Sequence, residues 1–239
     1  MEKIKTANIE KVVNALKKQG ITNPYAISGI LAIISKESGF IPQSEKPYNN
    51  TANSRIREIF SEARNLTDAQ LTEIKKDPVK FFNLVYGGEY GNAANEGYKY
   101  RGRGFNQLTF KNNYKVYSDL LKKDLVNNPD LVNDPDIAAQ IVALYMKRKF
   151  DKDKDIILKR YGVKNINDFN NINTAVNAFY NANAGFGKDT SQIMPDGKKI
   201  ALQRAPGLFE IVTNYIEDNP GAGGLIVLAG GLILYNIFK

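Results

Sequence analysis

A chain of 239 residues is long enough for one domain with a full core, with or without a short appendage, and short for two independent domains. Its 33 basic and 25 acidic side chains leave a net charge of +8, which favours an anionic partner such as nucleic acid, acidic lipid or a polyanionic cell wall. Histidine and cysteine are both absent, which excludes Ser-His-Asp and Cys-His nucleophilic machinery, thiol chemistry, histidine-ligated zinc and disulfides.

In chain order, the amino terminus MEKIKTANIEK lacks the apolar run of a cleaved secretory signal. Ile9 to Lys18 reads as an amphipathic helix with Ile9, Val12, Val13 and Leu16 on one face, stopped by Gly20. Asn23 reads as an N-cap and Pro24 as a first-turn residue of a second helix. That helix is buried along Ile27, Ile30, Leu31 and Ile34 and ends at Gly39, with Glu37 near its end. Gln43 to Asn53 is polar and turn-rich. Arg55 to Arg64 and Thr67 to Lys76 read as helical, the latter behind a Thr67 cap, and Asp77-Pro78 opens another helix carrying Val79, Phe82 and Val85.

Gly87 to Asn95 is a loop leading into Gly97 to Tyr114, GYKYRGRGFNQLTFKNNY. There Tyr98, Tyr100 and Phe105 predict short extended structure. Arginines between glycines beside aromatics suit single-stranded nucleic acid, and the same residues suit a sugar-binding cleft. A long helix follows Asp134-Pro135, another covers Asn173 to Asn181 before the Asn183 to Gly187 loop, and Ala205 to Tyr215 is helical. Asp218-Asn219-Pro220 is a hinge to Gly221 to Phe238, an uncharged stretch closed by Lys239. That stretch reads as a single membrane-spanning helix, with small residues on one face; a buried tail packed on the domain is the alternative. The expected organisation is a domain over residues 1–217 and a hinge and membrane anchor over residues 218–239.

With histidine and cysteine excluded, paired carboxylates are the simplest remaining engine, and they suit glycosidic bond hydrolysis. One carboxyl must stay protonated to donate to the leaving oxygen, which a partly apolar setting favours, and Ile30, Ile34 and Phe40 supply one near Glu37. The second carboxylate activates water or stabilises positive charge. Glu45, Glu89 and Glu96 are its candidates, and spacing alone does not rank them. A helix-terminal glutamate such as Glu37 is, for an arbitrary protein, most often simply solvated.

Lys36 to Phe40, KESGF, then Glu45 in a polar turn, then Tyr100 to Thr109, YRGRGFNQLT, with Asn113-Tyr114 and Asn128 to Val132, NPDLV, resembles the family 19 glycoside hydrolases. That family comprises chitinases and peptidoglycan-cleaving lysozymes of phages and bacteria. The resemblance implies an α+β, predominantly α-helical, lysozyme-like fold, inversion at the anomeric carbon, Glu37 as general acid and Glu45 as base, with Glu89 in reserve. It assigns Gln107, Thr109 and Asn113 to substrate and nucleophilic water, and Asn183 to an asparagine and glycine loop near the cleft. Arg101 and Arg103 either brace carboxylates, bind peptide carboxylates of the wall, or form ordinary salt bridges within the fold.

The expected protein is a peptidoglycan-degrading glycosidase needing no cofactor or metal, anchored by its C-terminal span in a phage virion membrane or at the host membrane and wall. A chitinase, a lytic transglycosylase and a non-enzymatic glycan-binding virion protein are the alternatives. A nucleic-acid partner leaves KESGF and the later motifs unexplained, so none is expected.

Overall fold

Helix-capping chemistry sets most of the element boundaries. The computed structural model describes residues 2–185, 195–219, 227–228 and 231–232. Its helices are α1 (Glu2–Lys18), α2 (Pro24–Ser38), α3 (Asn53–Ile59), α4 (Asp68–Lys75), α5 (Pro78–Tyr86), α6 (Lys111–Leu121), α7 (Pro135–Lys152), α8 (Lys154–Tyr161), α9 (Ile172–Ala184) and α10 (Pro195–Asp218). Short 3-10 turns cover Ser61–Ala63 and Pro129–Asn133. The chain divides into two units, one formed by Met1–Ile41 with Pro135–Lys239 and the other by Pro42–Asp134.

The discontinuous unit is built on α2. The Asn23 side chain accepts from the Ala26 N–H, Pro24 takes the first turn, and Gly39 at φ 58° closes the helix with its N–H on Ser35 O. Ala26, Ile27, Ile30, Leu31, Ala32, Ile33 and Ile34 are all buried, so α2 is apolar all round and needs partners on several sides. It finds them in α9 and α10, while α1 lies against α7. Gly29 marks a close approach, since a Cβ there would stand 3.0 Å from the Ala175 carbonyl carbon on α9. The start of α2 is tied down by Asn23 Nδ2, which donates to Asn167 O and Phe169 O, and by Tyr25 stacked on Phe209 of α10 at 4.6 Å. Helix α10 begins ahead of the expected Ala205 and runs through Pro206.

The continuous unit is held by aromatic packing. Tyr48, Phe60, Phe81, Phe82 and Tyr86 form a ring cluster with centroid separations of 5.2 to 6.3 Å, joined by buried Ile56, Leu71 and Val85. Thr67 and Gln70 form a reciprocal capping box on α4, and the Asp77 carboxylate accepts from the Val79 and Lys80 amides to start α5.

Two sequence expectations are corrected. The fold is helical rather than α+β: between Tyr98 and Phe110 the chain makes turns, and its one ladder contact is the isolated Arg103–Leu108 bridge. Tyr100 and Phe105 are fully buried there, so aromatic content that suits a strand serves a packed loop instead. The expected C-terminal membrane helix is also overturned. No helix among the described residues is long and apolar enough to cross a membrane, and membrane anchoring with its virion or host-membrane location goes with it. Most of Gly221 to Phe238 lies outside the described residues, but Val227–Leu228 and Gly231–Leu232 within it form antiparallel strands, Leu228 opposite Gly231. Each glycine in a helix interior costs about 1 kcal/mol relative to alanine, and the stretch holds Gly221, Gly223, Gly224, Gly230 and Gly231 among β-branched residues that favour extended backbone.

Gly29→Ala raises intrinsic helix propensity but forces a methyl into the Ala175 backbone. Denaturant unfolding is expected to show a net loss of about 1–3 kcal/mol; unchanged or increased stability would contradict the close crossing.

Candidate active site

In the continuous unit the site is built around the Glu45 carboxylate. Glu45 lies in the polar segment before α3, where its N–H donates to Gly102 O at 2.7 Å. Its Oε1 accepts from the hydroxyls of Tyr48 and Tyr86, each at 2.9 Å, and its Oε2 accepts from the Gly102 amide at 3.2 Å. Burial first, and then the charge of Glu45, push the Tyr48 and Tyr86 phenols far above their usual range, so both stay protonated and donate. Oε1 is therefore saturated, and Oε2, with one longer bond, retains room to accept a further hydrogen bond.

Gly102 makes this arrangement possible by lacking a side chain. A Cβ there would meet Gln107 Oε1 at 2.8 Å and Glu45 Oε2 at 3.2 Å, so the two side chains converge on the space a larger residue would fill. Gln107 sits at φ 52°, a region costly for a residue with a side chain. Its Nε2 is anchored on Gln43 O at 2.9 Å and Gly104 O at 3.1 Å. Thr109 Oγ1 donates to Gln107 O at 2.9 Å, and Asn113 Nδ2 donates to Thr109 O at 2.8 Å. Gln107, Thr109 and Asn113 thus form one connected series leading away from Glu45.

The other base candidates have different surroundings. Glu96 pairs with Lys111 at 2.9 Å, and its carboxyl is held below the usual range by the Ala93 amide and then by Lys111. Glu89 is exposed in the loop after α5. Arg103 is 2% exposed, with Nε on Asp130 at 2.7 Å and Nη1 on Lys99 O at 2.8 Å, Arg101 O at 3.3 Å and Tyr114 Oη at 3.0 Å. Its guanidinium is spent on holding the loop together. Arg101 lies over the Tyr98 ring at 4.0 Å and donates to Tyr98 O at 2.8 Å.

Glu37 belongs to the other unit, on the last turn of α2, with its side chain 30% exposed. Ile30, Ile34 and Phe40 are buried beside it in sequence, but the groups facing its carboxylate are polar. Lys36 Nζ lies 3.1 Å from Oε1. The phenols of Tyr145 on α7 and Tyr180 on α9 are raised, by burial first and then by the charge of Glu37, Tyr145 to about 12. The helix end bearing Glu37 is braced by Arg204 of α10, whose Nη1 donates to Ser35 O at 2.7 Å and Ser35 Oγ at 2.8 Å. Phe40, at φ 63°, is held through its carbonyl by the buried Asn8 amide at 2.8 Å. Asn183 is half-buried in the last turn of α9 in this same unit, and the part of its expected loop beyond Gly185 lies outside the described residues. Among the described residues no cluster of carboxylates is arranged to hold a metal ion.

Residues 86–160 match the family model of chitinase class I, glycoside hydrolase family 19. That segment, about a third of the chain, is similar to family 19. The match takes in Gln107, Thr109 and Asn113. Among solved structures, a chitinase C mutant aligns at 15% identity with a TM-score of 0.46, covering 87% of this chain and 69% of that one. Chitinase C from Streptomyces griseus HUT6037 aligns at 15% identity with a TM-score of 0.43 over the same shares. No curated protein matches the sequence.

The sequence reading left out Tyr48, Tyr86, Gly102 and Arg204. Tyr48, three residues beyond Glu45, was the most accessible of these; Tyr86 and Arg204 reach their partners across 41 and 169 positions, where no local pattern exists.

Gly102→Ala places a methyl against Gln107 and Glu45, and chemical denaturation is expected to register a loss of about 1–3 kcal/mol. Wild-type stability in that variant would mean the contact is slack. The raised phenols set an alkaline limit as well. An unfolded phenol titrates near 10.0, whereas Tyr114 and Tyr145 are each raised to about 12, with burial as the leading cause. Above 10 the unfolded chain loses protons that the folded chain keeps, so the contribution is whole below pH 10 and is lost between there and about 12. Unfolding free energy measured across that window should fall with pH, and a flat profile would refute the assignment.

Proposed function

We propose that this chain hydrolyses the N-acetylhexosamine backbone of peptidoglycan, with Glu37 as general acid and Glu45 as general base. The observation that carries the reading is the Glu45 carboxylate, fixed by two phenols and the Gly102 amide with Gln107 against the same glycine, beside a segment of family 19 type.

A positioned base needs a fixed orientation and one available lone pair, and the saturation of Oε1 directs that role to Oε2. Oε2 takes a proton from water as the water oxygen bonds to the anomeric carbon. Glu37 gives its proton to the glycosidic oxygen as that bond breaks, so the sugar leaves as a neutral alcohol and inversion results. Gln107, Thr109, Asn113 and Asn183 supply the polar contacts that orient sugar and water. Thr109 suits the water, because its hydroxyl donates onward to Gln107 O and keeps lone pairs to accept with. Arg103 serves by keeping the loop in shape.

The net charge of +8 favours a polyanionic wall over uncharged chitin. Chitin is the second reading, because the matching family model is that of chitinase class I.

Turbidity loss of purified sacculi and release of soluble sugar from colloidal chitin test both readings side by side. Wild type should clear sacculi faster than it solubilises chitin. Glu37→Gln and Glu45→Gln should each lose about a hundred- to ten-thousand-fold in rate, with reducing-end products of hydrolytic mass. Equal activity in wild type and Glu37→Gln would sink the acid assignment, and anhydro products would move the enzyme to the lytic transglycosylases.

A further inference from the structure

An exposed aromatic ring near Glu45 is held at an energetic cost that its own packing does not explain. Tyr90, in the loop between α5 and α6, is 66% exposed, and its backbone sits at φ 42°. A bulky residue in that region is an outlier, with a cost of order 1–3 kcal/mol. Such strain is ordinarily offset by burial of the side chain. Here the residue remains largely in solvent.

The loop around it is firmly built. The side chain of buried Asn92 donates to Tyr86 O at 2.7 Å and accepts from the Lys111 N–H at 2.9 Å, which ties the loop to both flanking helices. Tyr90 O accepts from the Asn112 N–H at 3.2 Å. Gly91, at φ 89°, lies so close to Asn112 that a Cβ would stand 2.2 Å from its Oδ1. The Tyr90 backbone is thus locked in its unfavourable region by its neighbours.

What the strain achieves is a placement. The Tyr90 ring packs on Phe110 at 4.7 Å, and Phe110 packs edge-on against Tyr86 at 5.3 Å. Tyr86 in turn donates to Glu45 at 2.9 Å. Phe110 is itself strained, at φ 73° and ψ 137°, a conformation suited to glycine. A continuous aromatic series therefore runs from the Glu45 carboxylate to an outward-facing ring, with both outer members in costly backbone conformations.

We propose that Tyr90 is a sugar-stacking residue that binds an N-acetylhexosamine unit outside the bond being cut. A β-linked pyranose presents a face of C–H groups, and a fixed aromatic ring with an open face complements it at little entropic cost. This assignment rests on the glycosidase reading above. It goes beyond that reading in making glycan length a determinant of affinity, since only an oligomer long enough to reach past the reacting sugars gains the contact.

The chain contains no tryptophan, so Tyr90→Trp introduces a single, selectively excitable tryptophan at the proposed contact. In a Glu37→Gln background, which slows turnover, a β-1,4-linked N-acetylglucosamine hexamer should change the emission of that tryptophan saturably, while the dimer should not. By calorimetry in the same background, Tyr90→Ala should weaken hexamer binding about tenfold, equivalent to about 1.4 kcal/mol, and leave dimer affinity within about twofold of the parent. Tyr90→Phe should retain most of the hexamer affinity. Thermal melts of each variant separate loss of the contact from loss of the loop. If the parent binds hexamer and Tyr90→Ala, folded, binds it equally well, the stacking assignment falls and the glycosidase reading stands. If the parent binds neither hexamer nor sacculi, both fall together. Persistence of the Tyr90 effect with wild-type activity in Glu37→Gln would uphold the stacking residue and remove the proposed acid.

Discussion

The absence of a side chain at Gly102 is the constraint on which the continuous unit depends. Because nothing projects there, the backbone of Glu45 pairs with Gly102 O at 2.7 Å while its carboxylate turns back onto the Gly102 amide. The same space admits Gln107. Once the carboxylate is fixed, Tyr48 and Tyr86 can bury their rings in the aromatic cluster and place their hydroxyls on Oε1. Polar satisfaction and apolar packing are thereby solved by the same two residues. A carboxylate brought this close to an aromatic core without those hydroxyls would leave acceptors unpaired, at a cost of the order of 1–3 kcal/mol or more.

The other unit is organised by burial rather than by polar closure. Helix α2 has no solvent face along most of its length, and it emerges only at its last turn, where Lys36 and Glu37 reach the surface. A side chain at the end of an otherwise buried helix inherits the rigidity of the core, and the Arg204 contact to Ser35 extends that rigidity to the turn that carries it.

The elements whose signals are local were legible. Asn23-Pro24 and Gly39 bracket α2, Thr67 and Asp77 cap their helices, and each is a contact between near neighbours. The lack of histidine and cysteine narrowed the chemistry to carboxylates, and the family resemblance, not spacing, set Glu45 apart from Glu89 and Glu96. The Glu45 clamp was less visible, since Tyr86 and Gly102 come to it from distant positions. The Tyr98 to Phe105 segment misled because aromatic residues favour both strands and tightly packed loops. Arg103 stood out for its place in RGRG, but only its burial and its bonds to Asp130 and Tyr114 reveal a structural role. Helices α6 and α8 escaped notice, as their polar sequences leave much of each helix in water.

Assembly of the discontinuous unit has a temporal side. Helix α2 is made well before α9 and α10, which cover it. At ordinary elongation rates of about 5–20 residues per second, α2 waits on the order of ten seconds before its partners exist. The Pro42–Asp134 unit is contiguous and has all its own packing partners available during that interval. Until α9 and α10 are made, the growing chain therefore carries a helix that is apolar on every side and still uncovered, and its risk of self-association is greatest in that interval.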